Sequence, residues 1–152
     1  MRTIYALVTA LIAAAIIGCS QGKSLIGTWT ADAIPEAPPG TKGTFTYSSG
    51  DKVVMKMTAD QQFGEIKFKM IMTIDGTYKL EGDKVTYKFD KMDIQTEGLP
   101  DAIKAQTTAT LEGMKQQLLA DMNKDATHSV EWKSNDEIVV KGQKNSLTLK
   151  RA

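Results

Sequence analysis

The chain is poor in the groups that most often do chemistry. Among its 152 residues there is one Cys and one His. A single cysteine, Cys19, excludes an intramolecular disulfide. A solitary His128 without a companion thiolate leaves a typical zinc site unsupported. Long apolar runs are missing too. The uncharged apolar stretch from Ile4 to Ile17 falls short of the roughly 20 residues that a membrane-spanning helix needs. Nor is there an excess of one charge: 19 Lys plus Arg face 18 Asp plus Glu, which argues against nucleic acid, whose binding rests on a basic surface. Proline is scarce, and three of the four fall at Pro35, Pro38 and Pro39. They make 34–40 a loop, because proline removes ladder donors. Aromatics make up 7% of the chain, and eight Met stand against four Phe and four Tyr.

The N-terminal segment is expected to be processed. Arg2 supplies a short positive region, and the apolar run behind it suits a signal-peptide core. It ends in Ile16-Ile17-Gly18-Cys19-Ser20, which resembles the lipobox of bacterial lipoproteins. The resemblance implies diacylglycerol on the Cys19 thiol, cleavage before it, and usually a further acyl chain on the new amine. Two or three chains would anchor firmly where one anchors marginally. Lipidation also accounts for an unpaired cysteine in an exported protein. Ser20 follows where Asp tends to retain lipoproteins at the inner membrane, so the resemblance favours the outer membrane of a bacterial envelope. The expected division is 1–18 signal peptide, 19–24 lipidated tether and 25–152 one domain. Removal of 1–18 takes away Arg2 alone and leaves 18 basic and 18 acidic residues.

From Leu25 onward the period is two. A first strand covers about Ile26 to Asp32. Thr44 to Tyr47 form a second, which turns at Ser48-Ser49-Gly50-Asp51 into Val53, Met55 and Met57 on one face. Ile66, Phe68, Met70, Met72 and Ile74 alternate with Glu65, Lys67, Lys69, Ile71 and Thr73, which suits an antiparallel sheet with one wet face. Asp75-Gly76 reads as a turn into Thr77 to Leu80. Glu81-Gly82-Asp83 turns the chain again into Val85, Tyr87 and Phe89, with Met92 and Ile94 extending the stripe. Gly43-Thr44-Phe45 with Gly50-Asp51-Lys52-Val53 is echoed by Gly76-Thr77-Tyr78 with Gly82-Asp83-Lys84-Val85, one hairpin design used twice.

After Gly98 the period changes. Pro100 and Asp101 suit a helix start. Ile103, Thr107, Leu111, Met114, Leu118 and Met122 form a helical stripe, weakened by Thr107 and Gly113. Three short strands follow, marked by Val130 and Trp132, Ile138 and Val140, and Leu147 and Leu149. The expected fold is mainly β: an antiparallel up-and-down β-barrel of eight or nine strands with one inserted helix at about 100–123, since closure removes exposed edges.

Gly27-Thr28-Trp29 resembles the G-x-W of the first lipocalin strand, and Arg151 follows Leu147-Thr148-Leu149-Lys150 at the place of the family's terminal Arg. The chain therefore resembles lipocalin-like bacterial lipoproteins of the calycin group. The resemblance implies that Trp29 crosses the closed barrel end with Arg151 packed on it. One departure is that the family's helix follows the eighth strand, whereas this one precedes the last strands.

No catalytic residue, metal site or cofactor is expected. Asp121-x-Asn123-x-Asp125 opens like a calcium loop, but Ala126 and Trp132 stand where Gly and Glu are needed. A Ser-His-Asp set would have to use His128, and nothing in the sequence places a serine beside it. Asp90, Asp93 and Glu97 read as a surface cluster, a glycosidase pair being the remote alternative. The apolar face is the better clue. Met55, Met57, Phe68, Met70, Met72, Tyr87 and Phe89 are expected to point inward, and methionine suits sites that accept varied apolar partners. The expected function is a membrane-anchored module that binds a small hydrophobic or lipid-like molecule within the barrel. The alternative is an envelope structural or interaction protein with a filled core, acting through its outer surface.

Overall fold

A computed structural model describes residues 23–124 and 126–152. The expected signal peptide 1–18, Cys19 and most of the tether lie outside them. Eight antiparallel strands, each paired with its neighbours in sequence, close into a barrel. They are β1 Gly27–Ala31, β2 Lys42–Ser48, β3 Lys52–Phe63, β4 Ile66–Glu81, β5 Lys84–Glu97, β6 Thr127–Trp132, β7 Glu137–Lys141 and β8 Ser146–Arg151. One helix, α1 Asp101–Lys124, joins β5 to β6. This is the mainly β barrel with an inserted helix that the alternation predicts, and it is compatible with a lipocalin-like fold.

Inward side chains converge as a period of two requires. Trp29, Phe45, Tyr47, Val53, Met55, Ile74, Val85, Tyr87, Val130, Ile138 and Leu149 belong to one buried cluster. Their neighbours in sequence are mostly exposed or half-buried.

Asp75-Gly76 is not a turn. Both lie inside the 16-residue strand β4, so two expected strands are one and the count is eight. Asp75 faces Lys91 whereas Gly76 faces Phe89. Asp90 is therefore an extra residue on β5, a β-bulge. A Cβ on Gly76 would stand 2.3 Å from the Lys88 carbonyl oxygen. The glycine is needed for close approach of two backbones, the other meaning of Gly within a strand pattern. The bulge also moves the inward positions of β5 from odd (Val85, Tyr87, Phe89) to even (Met92, Ile94), all five buried. The echoed hairpins remain, as β2–β3 and β4–β5.

Strand lengths divide the molecule into a base and a hood. At about 3.4 Å per residue, five-residue β1 spans about 17 Å and 16-residue β4 about 54 Å. β2 pairs with β3 only as far as Thr58, and β6 pairs with β5 only over Lys84 to Thr86. Beyond those points β3, β4 and β5 continue as a three-stranded hood. Helix α1 returns along β5. The connection from its end into β6 continues the edge that β6 leaves free: Tyr87 N–H donates to the Ala126 carbonyl at 2.9 Å. The Asn123 amide accepts from Phe89 N–H and donates to the Phe89 carbonyl, each at 2.9 Å.

The helix is a weaker lid than its stripe implies, since none of its residues is fully buried. Met114, expected on the inner stripe, is 49% exposed. Its place is taken by the half-buried Lys115, whose Nζ lies 2.5 Å from Glu112 and 3.6 Å from Asp93. A true helical turn advances 3.6 residues, so a stripe running through Leu111, Lys115, Leu118, Leu119 and Met122 keeps one face where Met114 does not.

The end of the barrel where β1 begins is sealed. Arg151 Cζ lies 4.3 Å from the centroid of the Trp29 indole, within cation–π range. Trp29 Nε1 donates to the Leu25 carbonyl at 2.7 Å, and Trp132 meets the indole edge-on at 6.3 Å. Arg151 also donates to the carbonyls of Ile26 and Asn135. Gly27 has φ +128°, and a Cβ there would come within 2.6 Å of Arg151 Nη1. The glycine of the G-x-W run thus makes room for the guanidinium.

Candidate functional site: a barrel cavity under the hood

The opposite end is not sealed. A cavity of about 460 Å³ enters the barrel between the proline loop, the last turn of α1 and the β7–β8 turn. Its deep wall is apolar: Phe45, Met55, Phe89, Val140 and Leu149, with Met122 from the helix. Its rim is polar and comes mostly from connections, with Glu36, Lys144 and Asn145 among the contributors, and with Asp121 from the end of α1. The proline loop is held in shape by Thr41, which donates to the Pro38 carbonyl through both its backbone N–H at 3.1 Å and its hydroxyl at 2.6 Å. An apolar body with a few polar groups at fixed places is the usual make-up of a small-molecule site.

Two tyrosines supply the polar groups of the deep wall. Tyr47 from β2 and Tyr87 from β5 both line the cavity, and their hydroxyls are 2.7 Å apart. Tyr78 packs edge-on to Tyr47 at 4.9 Å, and Phe89 stacks on Tyr87 at 5.6 Å. Burial, and next the neighbouring Tyr87, push the Tyr47 phenol well above its ordinary range. Burial pushes Tyr87 up to about 12, against the opposing effect of its hydrogen bond with Tyr47. Both hydroxyls are therefore protonated and neutral over the whole physiological range.

Of the seven residues expected to line a cavity, Met55, Tyr87 and Phe89 do so. Met70 and Met72 pack half-buried against the core from the hood, Met57 does so from β3 opposite Gly43, and none of the three is part of the cavity wall. Phe68 lies in a separate depression of about 670 Å³ at the hood tip, beside Asp60, Lys67, Lys69 and Glu97. That depression is larger, but its lining is charged and lies on the hood surface; the barrel cavity has the enclosing walls. The cause of the difference is length. Alternation tells which face a residue takes, but the hood strands outrun the barrel, so their inner face is closed only in part: Ala59, Met92 and Ile94 are buried, whereas Phe68, Met70 and Met72 are not.

The residues weighed for chemistry are dispersed. Asp121 lies at the rim, where Lys124 at 2.7 Å holds its carboxyl below the usual range, with Gln117 contributing. Asn123 is committed to the Phe89 backbone, and Asp125 lies outside the described residues. His128 lines the cavity and tilts over Tyr87 at 5.7 Å. Asp93 pairs with Lys115 and Asp90 with Lys88. Among the described residues no three His, Cys, Asp or Glu side chains are grouped as metal ligands would be.

Sequence reasoning missed Tyr47, Phe45, Val140 and Leu149 as wall residues, although their alternation was legible. It also missed the rim, which comes from turns with no period to read. No family model matches the chain, and no curated protein is significantly similar to it.

Proposed function

We propose that this protein is a non-catalytic binding module, tethered to a bacterial membrane through lipid on Cys19, that carries a small hydrophobic molecule in its barrel. The observation that carries the reading is the cavity of about 460 Å³, apolar within and polar at its mouth. It exceeds the roughly 300 Å³ at which ligand pockets begin. The alternative of a filled core working through an outer apolar surface has less support. Among the described residues the large exposed hydrophobics are Ile26, Val54 and Met114, which lie apart in the chain, just before β1, on β3 and on α1.

The tether would fix an orientation. The chain enters β1 at the sealed end, so a lipid on Cys19 would place that end towards the bilayer and the mouth away from it. Ligand would then exchange with the aqueous side, and the outer membrane is the expected location. Native mass spectrometry of the full chain purified from its own host tests the binding reading. A co-purified apolar molecule that is lost on filling the cavity with Val140→Trp supports it, and repeated isolation of empty protein counts against it. Metabolic labelling with a palmitate analogue tests the anchor: label on the wild-type chain should vanish in Cys19→Ala.

A further inference from the structure

The hydroxyl pair in the deep wall has an imbalance. A phenol has one proton to donate and lone pairs to accept. Tyr47 and Tyr87 make one hydrogen bond between their hydroxyls, which uses one of the two protons. No described protein group accepts the second. Both side chains are more than nine-tenths buried, at 1% and 6% exposure, and both line the cavity. A buried donor without an acceptor is costly, and here it borders the space where a guest would sit.

We infer that the Tyr47–Tyr87 pair is a polar anchor that selects, among apolar guests, uncharged molecules carrying a carbonyl oxygen. The inference rests on the cavity being a ligand site and adds the chemical class of the ligand. A carbonyl oxygen accepts the spare proton and brings no donor of its own. A carboxylate would leave its charge in a deep wall to which no described Lys or Arg contributes, and an unpaired buried charge costs far more than a neutral acceptor gains. Lys144 is at the rim, not the deep wall. A pure hydrocarbon fits the apolar walls but leaves the proton unmet.

Which tyrosine donates to the other does not matter, and this gives the test its form. In Tyr47→Phe or Tyr87→Phe the remaining hydroxyl has a free proton, so either single variant keeps the anchor. Only Tyr47→Phe/Tyr87→Phe removes it, and because both partners go together the loss to the fold is small. The probes are benzophenone and diphenylmethane, nearly equal in shape and differing in the carbonyl. Binding is measured on the full chain in lipid nanodiscs with empty nanodiscs subtracted, and the ketone band is followed by isotope-edited infrared spectroscopy. Wild type and both single variants should favour the ketone roughly two- to tenfold, the range of a neutral hydrogen bond, with its stretch shifted to lower frequency. The double variant should bind the two probes equally and show no shift. Equal binding of both probes to wild type, with an unshifted band, would overturn the anchor and leave the cavity reading intact. Failure of both probes to bind, with circular dichroism showing a folded barrel, would overturn the cavity reading and the anchor with it.

Discussion

The base and the hood share three strands, yet the two regions behave differently. In the base, inward residues of β3, β4 and β5 such as Val53, Ile74 and Val85 are fully buried, with at most 1% exposure. In the hood, Phe68, Met70 and Met72 of β4 continue the same alternation but are only half-buried. The difference lies not in the strands but in what stands opposite them. Strands β1, β7 and β8 wall the base, whereas the hood has only the loosely packed α1. Side-chain direction is a local property of the pleat, and burial is a property of the whole enclosure.

That contrast can be broken or sharpened by mutation. The largest expected effect is at the sealed end. Trp29→Ala should cost about 3–5 kcal/mol in urea unfolding, whereas Met70→Ala in the hood should cost under about 2 kcal/mol. Equal losses would erase the distinction. Next comes the junction of the two regions. Gly76→Ala should cost about 1–3 kcal/mol by overpacking, because the new methyl meets the backbone oxygen of Lys88. Gly43→Ala should cost less, since it meets the far ends of the Ile34 and Phe45 side chains.

Asn123→Ala should cost about 1–3 kcal/mol by stranding the Phe89 N–H and carbonyl. Its signature is regional: faster hydrogen exchange along α1 and at Phe89, with base amides unchanged. Arg151→Gln should remove about 0.5–1 kcal/mol and raise exchange at the β1–β8 seam but not in the hood. The smallest effect is electrostatic and belongs to the base. Hydrogen bonds from Lys133, and then Lys141, hold the Glu131 carboxyl at about 2 instead of its ordinary 4.5. The folded state thus binds that proton less readily than the unfolded chain. Its contribution is present above about pH 4.5 and is lost as the pH falls towards 2. Glu131→Gln should flatten the acid limb of stability in that interval, and added salt should do the same to wild type.

The base was legible in the sequence because two signals agreed there: strict alternation and turn chemistry at Gly50-Asp51 and Gly82-Asp83. The helix was legible from its change of period and its Pro100 start. Asp75-Gly76 misled because the dipeptide that best marks a hairpin also serves where backbones must crowd. Only Ile74, Gly76 and Tyr78 keeping one parity hints at an unbroken strand. The cavity was half-legible. Met55, Tyr87 and Phe89 followed from the pleat, whereas the rim depends on where unrelated loops meet. The tyrosine pair depends on two strands lying across the barrel from each other, a relation that no local window contains.

The seam between β1 and β8 holds only two residue pairs, Trp29 with Arg151 and Thr30 with Lys150, and its outermost bond, Arg151 to Ile26, joins positions 125 apart. Contacts so distant in sequence are among the slowest to form, because the intervening chain must first surrender its freedom. The guanidinium clasp, closed among the last, should therefore act on the rate of opening: without it the ring parts sooner there, while closure runs at nearly the same speed.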